Sequence, residues 1–93
     1  MKRVNNLNEI IKFEKRIAKK YDFDFDENEY RTQIKKLFNE RGIDENNLRG
    51  FMFEDKDVDF IDDDEFMIIE IDNVFKKVYA SWMSVYVRFT MFD

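Results

Sequence analysis

The chain has 93 residues, 44% hydrophobic, 40% charged and 17% aromatic, with 16 basic and 21 acidic side chains and no Cys, His or Pro. That length supports one core and one domain over 1–93, and so much aromatic area argues against disorder despite the charge. The missing Cys and His exclude disulfide scaffolds, Cys- or His-ligated zinc and nucleophilic systems built on either residue. 

The first predicted element is a helix. Leu7, Ile10, Ile11, Ile17, Ala18 and Tyr21 recur at helical spacing, and Asn6 with Glu9 forms a capping pair at its start. Lys15, Arg16, Lys19 and Lys20 crowd its C-terminal end, where the helix dipole favours cations. A second helix starts at Asp26 and Glu29, carries the stripe Tyr30, Ile34, Leu37 and Phe38, and stops at Gly42, with Ile43 folding back. Asp44 to Leu48 is expected to form a single helical turn. Phe51 to Phe53 and Asp57 to Ile61 read as short strands, Phe66 to Ile71 as a third with Asp72-Asn73 as a turn, and Ser84 to Phe92 as a last strand. The expected fold is α+β: two N-terminal helices packed on a small antiparallel sheet from the C-terminal half. The alternative is a mostly α chain with a long third helix at 64–83, since Met67, Ile71, Val74, Val78 and Trp82 also fit helical spacing.

No catalytic signature accompanies these elements. Asp22, Asp24 and Asp26 match the opening of a calcium loop, but Glu27 and Gln33 stand where its glycine and final glutamate belong. Asp62 to Glu65 offer carboxylates to a hard cation, but a metal nuclease also needs a positioned basic group and a cleft, and Glu70-Ile71-Asp72 is followed by Asn73 and Val74 where the common nuclease pattern has a lysine. With Gly only at 42 and 50 there is no phosphate-cradling loop. The chain is therefore expected to be no enzyme and to carry no cofactor or metal. The longest apolar run, Phe66-Met67-Ile68-Ile69, is far short of the roughly 18 residues of a membrane span. The polar N-terminus has no signal-peptide core, so a cytoplasmic protein with no membrane contact is expected.

The charge layout carries the functional expectation. Residues 1–20 hold seven bases and two acids, 22–29 hold five acids and no base, and 54–72 hold ten acids and one base. Lys12–Arg16, Lys15–Lys19 and Arg16–Lys20 are like-charged helical neighbours, which a helix tolerates when it meets anions. Those anions would be nucleic-acid phosphates or the protein's own acid blocks; a solvated charged face is the third alternative. The negative net charge argues against direct nucleic-acid binding through this helix. If 54–72 is extended, same-side carboxylates fall roughly 6.5–7 Å apart, a spacing similar to that of backbone phosphates. Such a row would occupy the Lys and Arg contacts of a protein built to grip nucleic acid. The candidate partner-binding residues are Asp57, Asp59, Asp62, Asp63, Asp64 and Glu65, with Asp22, Asp24 and Glu27 as a second patch and Phe60 and Phe66 as apolar anchors. In composition and charge the chain resembles virus- or phage-encoded inhibitors that imitate DNA, anti-restriction and anti-CRISPR proteins among them, and the immunity proteins that neutralise nuclease toxins. The resemblance implies a basic nucleic-acid-binding protein or nuclease as partner, met in the host cytoplasm if the protein is viral. Two other readings stand beside it: an assembly module with a solvated acidic face, and a small nucleic-acid binder using the basic helix. The aromatic surplus makes Tyr79, Trp82 and Tyr86 candidate contacts of a homodimer. Crowded carboxylates are expected to have raised pKa values, so that stability rises on acidification from pH 7 to 5.

Overall fold

In the computed structural model, which describes residues 1–59, 64–79 and 89, helix α1 (Leu7–Tyr21) starts at Asn6, whose side chain accepts a hydrogen bond from the Glu9 N–H at 3.1 Å. Its inward stripe is Leu7, Ile10, Ile11, Phe13, Glu14, Ile17 and Ala18, while Tyr21, expected on that stripe, is exposed. The helix ends on Asp22, a non-glycine residue in the left-handed region at φ 56°, which aspartate tolerates better than most side chains. Helix α2 (Glu27–Glu40) is capped by Asp26 and closes on Gly42 at φ 66°. There the Ile43 N–H donates to the Phe38 carbonyl at 2.8 Å and the Gly42 N–H to that of Asn39 at 3.3 Å, the paired bonds of a glycine-terminated helix.

The sheet has four antiparallel strands in chain order: β1 (Lys2–Val4), β2 (Gly50–Phe53), β3 (Phe66–Ile71) and β4 (Val74–Val78). The fold is the expected α+β, with both N-terminal helices on one face of the sheet, and residues 64–79 form a strand pair in place of a long helix. Three isoleucines favour the strand, and Asp72 and Asn73, both at positive φ, make the tight turn of a two-residue hairpin. The register puts Val4, Met52, Met67, Ile69, Ile71 and Val78 on the helix-facing side, where they join the core with Ile10, Phe13, Ile34 and Phe38. Phe89 is also buried there, edge-on to Phe38 at 6.3 Å.

Three local expectations differ from the structure. Strand β1 is unannounced in the sequence because three residues show no alternation; Lys2, Arg3 and Val4 are held by pairing with Met52, Phe51 and Gly50. The backbone beyond it is pinned by bonds from the Leu48 N–H to the Asn5 carbonyl and from the Leu7 N–H to that of Glu45. Asp44 to Leu48 forms a turn instead of a helical one, closed by the Asn47 N–H on the Asp44 carbonyl and by the Asp44 side chain on the Asn46 N–H. Asp57-Val58 is not a strand: Asp55–Val58 forms the short helix α3, in which the Asp57 carboxylate accepts from the Glu54 N–H at 3.0 Å. A Glu-x-x-Asp pairing at a helix start thus overrides the Asp/apolar alternation. The strand expected at 84–92 lies outside the described residues.

A Cβ at Gly50 would sit 2.5 Å from the Ile68 carbonyl oxygen, a backbone atom, and 2.7 Å from an Ile69 methyl. Gly50→Ala is expected to cost about 1–3 kcal/mol by forcing β2 off β3. Gly42→Ala, whose Cβ meets nothing within 4 Å, is expected to cost only the roughly 1–2 kcal/mol of its left-handed backbone. Urea midpoints of the two variants check the ranking.

Candidate functional site

The cations on the outer turns of α1 reach the acid segments. Arg16 Nη1 lies 2.8 Å from Glu65 Oε1, and Lys20 Nζ lies 2.7 Å from Asp55 Oδ2 and 3.2 Å from Glu65 Oε2. The Asp55 N–H donates to Glu65 Oε1 at 3.2 Å. Glu65, only 2% exposed in its side chain, thus receives three donors from two other parts of the chain. Lys15 pairs with Glu27 at 3.0 Å, and Arg31 reaches the same carboxylate from one turn further along α2. The amino group of Met1 binds the second oxygen of Asp57. Of the like-charged residues on α1, Lys15, Arg16 and Lys20 therefore have their anions within the molecule, one of the outcomes the sequence allowed.

This wiring redistributes the predicted site. Glu65 and Phe66 are buried, so neither lies on the outward face expected of it; Phe66 is stacked on Phe53 at a ring separation of 4.7 Å. Asp57 is 18% exposed and held between the Met1 amino group and the Glu54 N–H. Asp59 and Asp64 are exposed. Phe60, Asp62 and Asp63 lie outside the described residues. In the second patch Asp22 and Asp24 are exposed and Glu27 is half-buried against Lys15. The alternation read from 22–26 holds: Phe23 and Phe25 pack on the core while Asp22, Asp24 and Asp26 face out, and the Phe25 ring lies 5.3 Å from that of Tyr30. Asp22, Asp24, Asp26 and Glu29 form no ion pair among the described residues.

Sequence reasoning missed Glu14. It is 1% exposed and accepts a hydrogen bond from the Tyr30 hydroxyl at 3.0 Å, tying α1 to α2 through the core. The signal was its place beside Phe13 on the buried stripe.

Two open cavities lined by described residues lie beside the sheet. One, of about 290 Å³, lies between β1 and α1 and is lined by Lys2, Lys12, Phe13, Arg16 and Glu54. The other, of about 320 Å³, is lined by Arg41, Asn47, Arg49, Glu70 and Asp72, with ion pairs Arg41–Asp72 and Arg49–Glu70 on its wall. Neither brings a nucleophile and a base together. Among the described residues no group of three or more His, Cys, Asp or Glu is placed to hold a metal ion, and no helix is long and apolar enough to cross a membrane. Comparison with protein families, curated proteins and solved structures finds no match for this chain.

The displaced carboxyl pKa values run opposite to the expectation of crowding. The hydrogen bond from Lys15 holds Glu27 below the usual carboxylate range, and the Met1 ammonium does the same for Asp57, helped by the Glu54 N–H. The hydrogen bond to Asp55 raises the Lys20 ammonium, with Glu65 adding to it. For the two acids the folded pKa lies below the unfolded one. Their contribution is therefore complete above the ordinary carboxylate range and lost as pH falls through the folded values. For Lys20 the folded pKa lies above the unfolded one, so its contribution is complete below the ordinary lysine value and lost as pH rises through the folded one. Stability is thus expected to be level between about pH 5.5 and 9 and to fall below about pH 4. A melting temperature that climbs steadily from pH 7 to 5 would contradict these pairings.

Glu65→Ala removes the shared acceptor but leaves Arg16 and Lys20 able to hydrate. It is expected to cost about 1–3 kcal/mol in chemical denaturation. Asp24→Ala, at an exposed carboxylate with no ion pair among the described residues, is expected to change stability by less than about 0.5 kcal/mol.

Proposed function

We propose that the protein is a non-catalytic inhibitor that enters the basic cleft of a nucleic-acid-binding protein or nuclease, presenting carboxylates where that partner expects phosphates. The observation that carries this reading is the corner between α1 and α2. Asp22 and Asp24 project outward there, with no ion pair among the described residues, from a segment fixed by the inward rings of Phe23 and Phe25. Rigid, uncompensated carboxylates suit steered association with a basic surface. Asp59, also exposed, adds a further carboxylate. Asp55, Asp57, Glu27 and Glu65 hold the fold together and contribute to the field only as neutralised pairs.

The same pairing disfavours a direct nucleic-acid binder built on α1, since Lys15, Arg16 and Lys20 already have carboxylate partners. A second reading, an assembly module, draws on the exposed Val74, Phe75 and Tyr79 along β4. It calls for an apolar contact that salt does not weaken.

The test is competition. In about 50 mM salt the protein is expected to displace labelled duplex DNA from at least one member of a panel of basic nucleases and DNA-binding proteins, and to lose about tenfold in affinity by 300 mM. The double variant Asp22→Lys/Asp24→Lys is expected to lose about tenfold or more at low salt while keeping its melting temperature within a few degrees. Failure to displace DNA from any member, or displacement indifferent to salt and to both reversals, would rule the reading out.

A further inference from the structure

The face of the sheet turned away from the helices carries a different chemistry from the acidic corner. By register, Arg3, Phe51, Ile68 and Lys77 form one row across all four strands on that face. Glu70 and Phe75 form part of a second row, and Phe53 and Phe66 part of a third. None of these residues belongs to the core between sheet and helices. Phe51 and Ile68 are partly exposed, and Phe75 is 47% exposed. Cations accompany the rings: the Arg49 guanidinium is 6.0 Å from the Phe75 ring centre, and Lys77 Nζ is 4.2 Å from that of Phe66. The one acid in these rows, Glu70, is paired with Arg49, whose side chain is still 71% exposed.

We propose that this face binds single-stranded nucleic acid, with unpaired bases stacked on Phe51 and Phe75 and phosphates met by Arg3 and Arg49. Every base has a flat π-face, so rings on an open sheet accept a strand without reading its sequence, and a guanidinium beside a ring adds to the stacking. Phe51 and Phe75 sit two strands apart, a separation on the order of 10 Å, which a flexible unpaired strand can span. A planar base needs no pocket, only an exposed ring to lie on. The net negative charge penalises a rigid duplex, whose affinity comes almost wholly from phosphate contacts, more than a strand held in part by stacking. The inference does not rest on the inhibitor reading, because the acidic corner belongs to the helical layer on the opposite side.

Fluorescence anisotropy with a labelled oligothymidylate of about 12 nucleotides, at about 50 mM salt, tests it. The single strand is expected to bind about tenfold or more tightly than a duplex of the same length. Phe75→Ala is expected to weaken binding about fivefold or more, and Phe75→Trp to retain it. Arg3→Ala, at an exposed strand position, is expected to weaken binding and flatten its salt dependence. The corner variant Asp22→Lys/Asp24→Lys, which would disable the inhibitor, is expected to leave the preference for single strands and the Phe75 effect intact. The proposal is overturned if no single-strand binding is detected, if duplex or polyglutamate binds as well as the single strand, or if Phe75→Ala leaves affinity unchanged. It is also overturned if sedimentation shows Phe75 holding two copies of the chain together instead.

Discussion

A carboxylate almost fully removed from water is tolerated only with donors on its oxygens. Glu65 meets that condition by drawing in Arg16 and Lys20 from α1 and a backbone N–H from the start of α3. The three donors come from segments 10 to 49 residues away in the chain. Satisfying one anion thus fixes the end of α1 against both the entry to β3 and the exit of β2. Apolar burial supplies the bulk of the folding energy through the stripe of α1 and the inner sheet face. The charged hub decides which way α1's polar side points and where the short helix after β2 is held.

That constraint also explains the charge layout. A helix with five cations on fifteen residues would repel itself in isolation. Here Lys15, Arg16 and Lys20 each face an acid brought up by the tertiary fold, and the blocks that look extravagant along the chain are complementary across it. Among the described residues, the acids that remain outward and without an ion pair include Asp22 and Asp24. The described residues therefore present three surfaces of distinct character: a wired flank, an acidic corner in the helical layer, and a sheet face of rings and cations.

Much of this was legible in the sequence where the signal is local. Asn6 and Asp26 announced both helix starts, Gly42 announced a helix end, and Asp72-Asn73 announced the turn after β3, because each acts on backbone within a few residues of itself. Strand β1 was illegible because three residues carry no period and are strands only by pairing with β2. Helix α3 was misread because alternating Asp and apolar residues suit a strand, while the capping bond between Glu54 and Asp57 made a helical turn the better use of the backbone. The candidate site suffered from a deeper limit. Sequence gives the number of carboxylates and not their direction. The burial of Glu65 and Phe66, like the Glu14–Tyr30 bond, depends on partners up to 49 residues away.

Glu65 is coupled energetically, and not merely geometrically, to the cations of α1. A double-mutant cycle on Arg16→Ala and Glu65→Gln, measured by denaturant unfolding, isolates that coupling. A favourable interaction of about 1 kcal/mol or more is expected, persisting at about 0.5 M salt because the acceptor is shielded from ions. Single-variant effects that add within about 0.3 kcal/mol would contradict it.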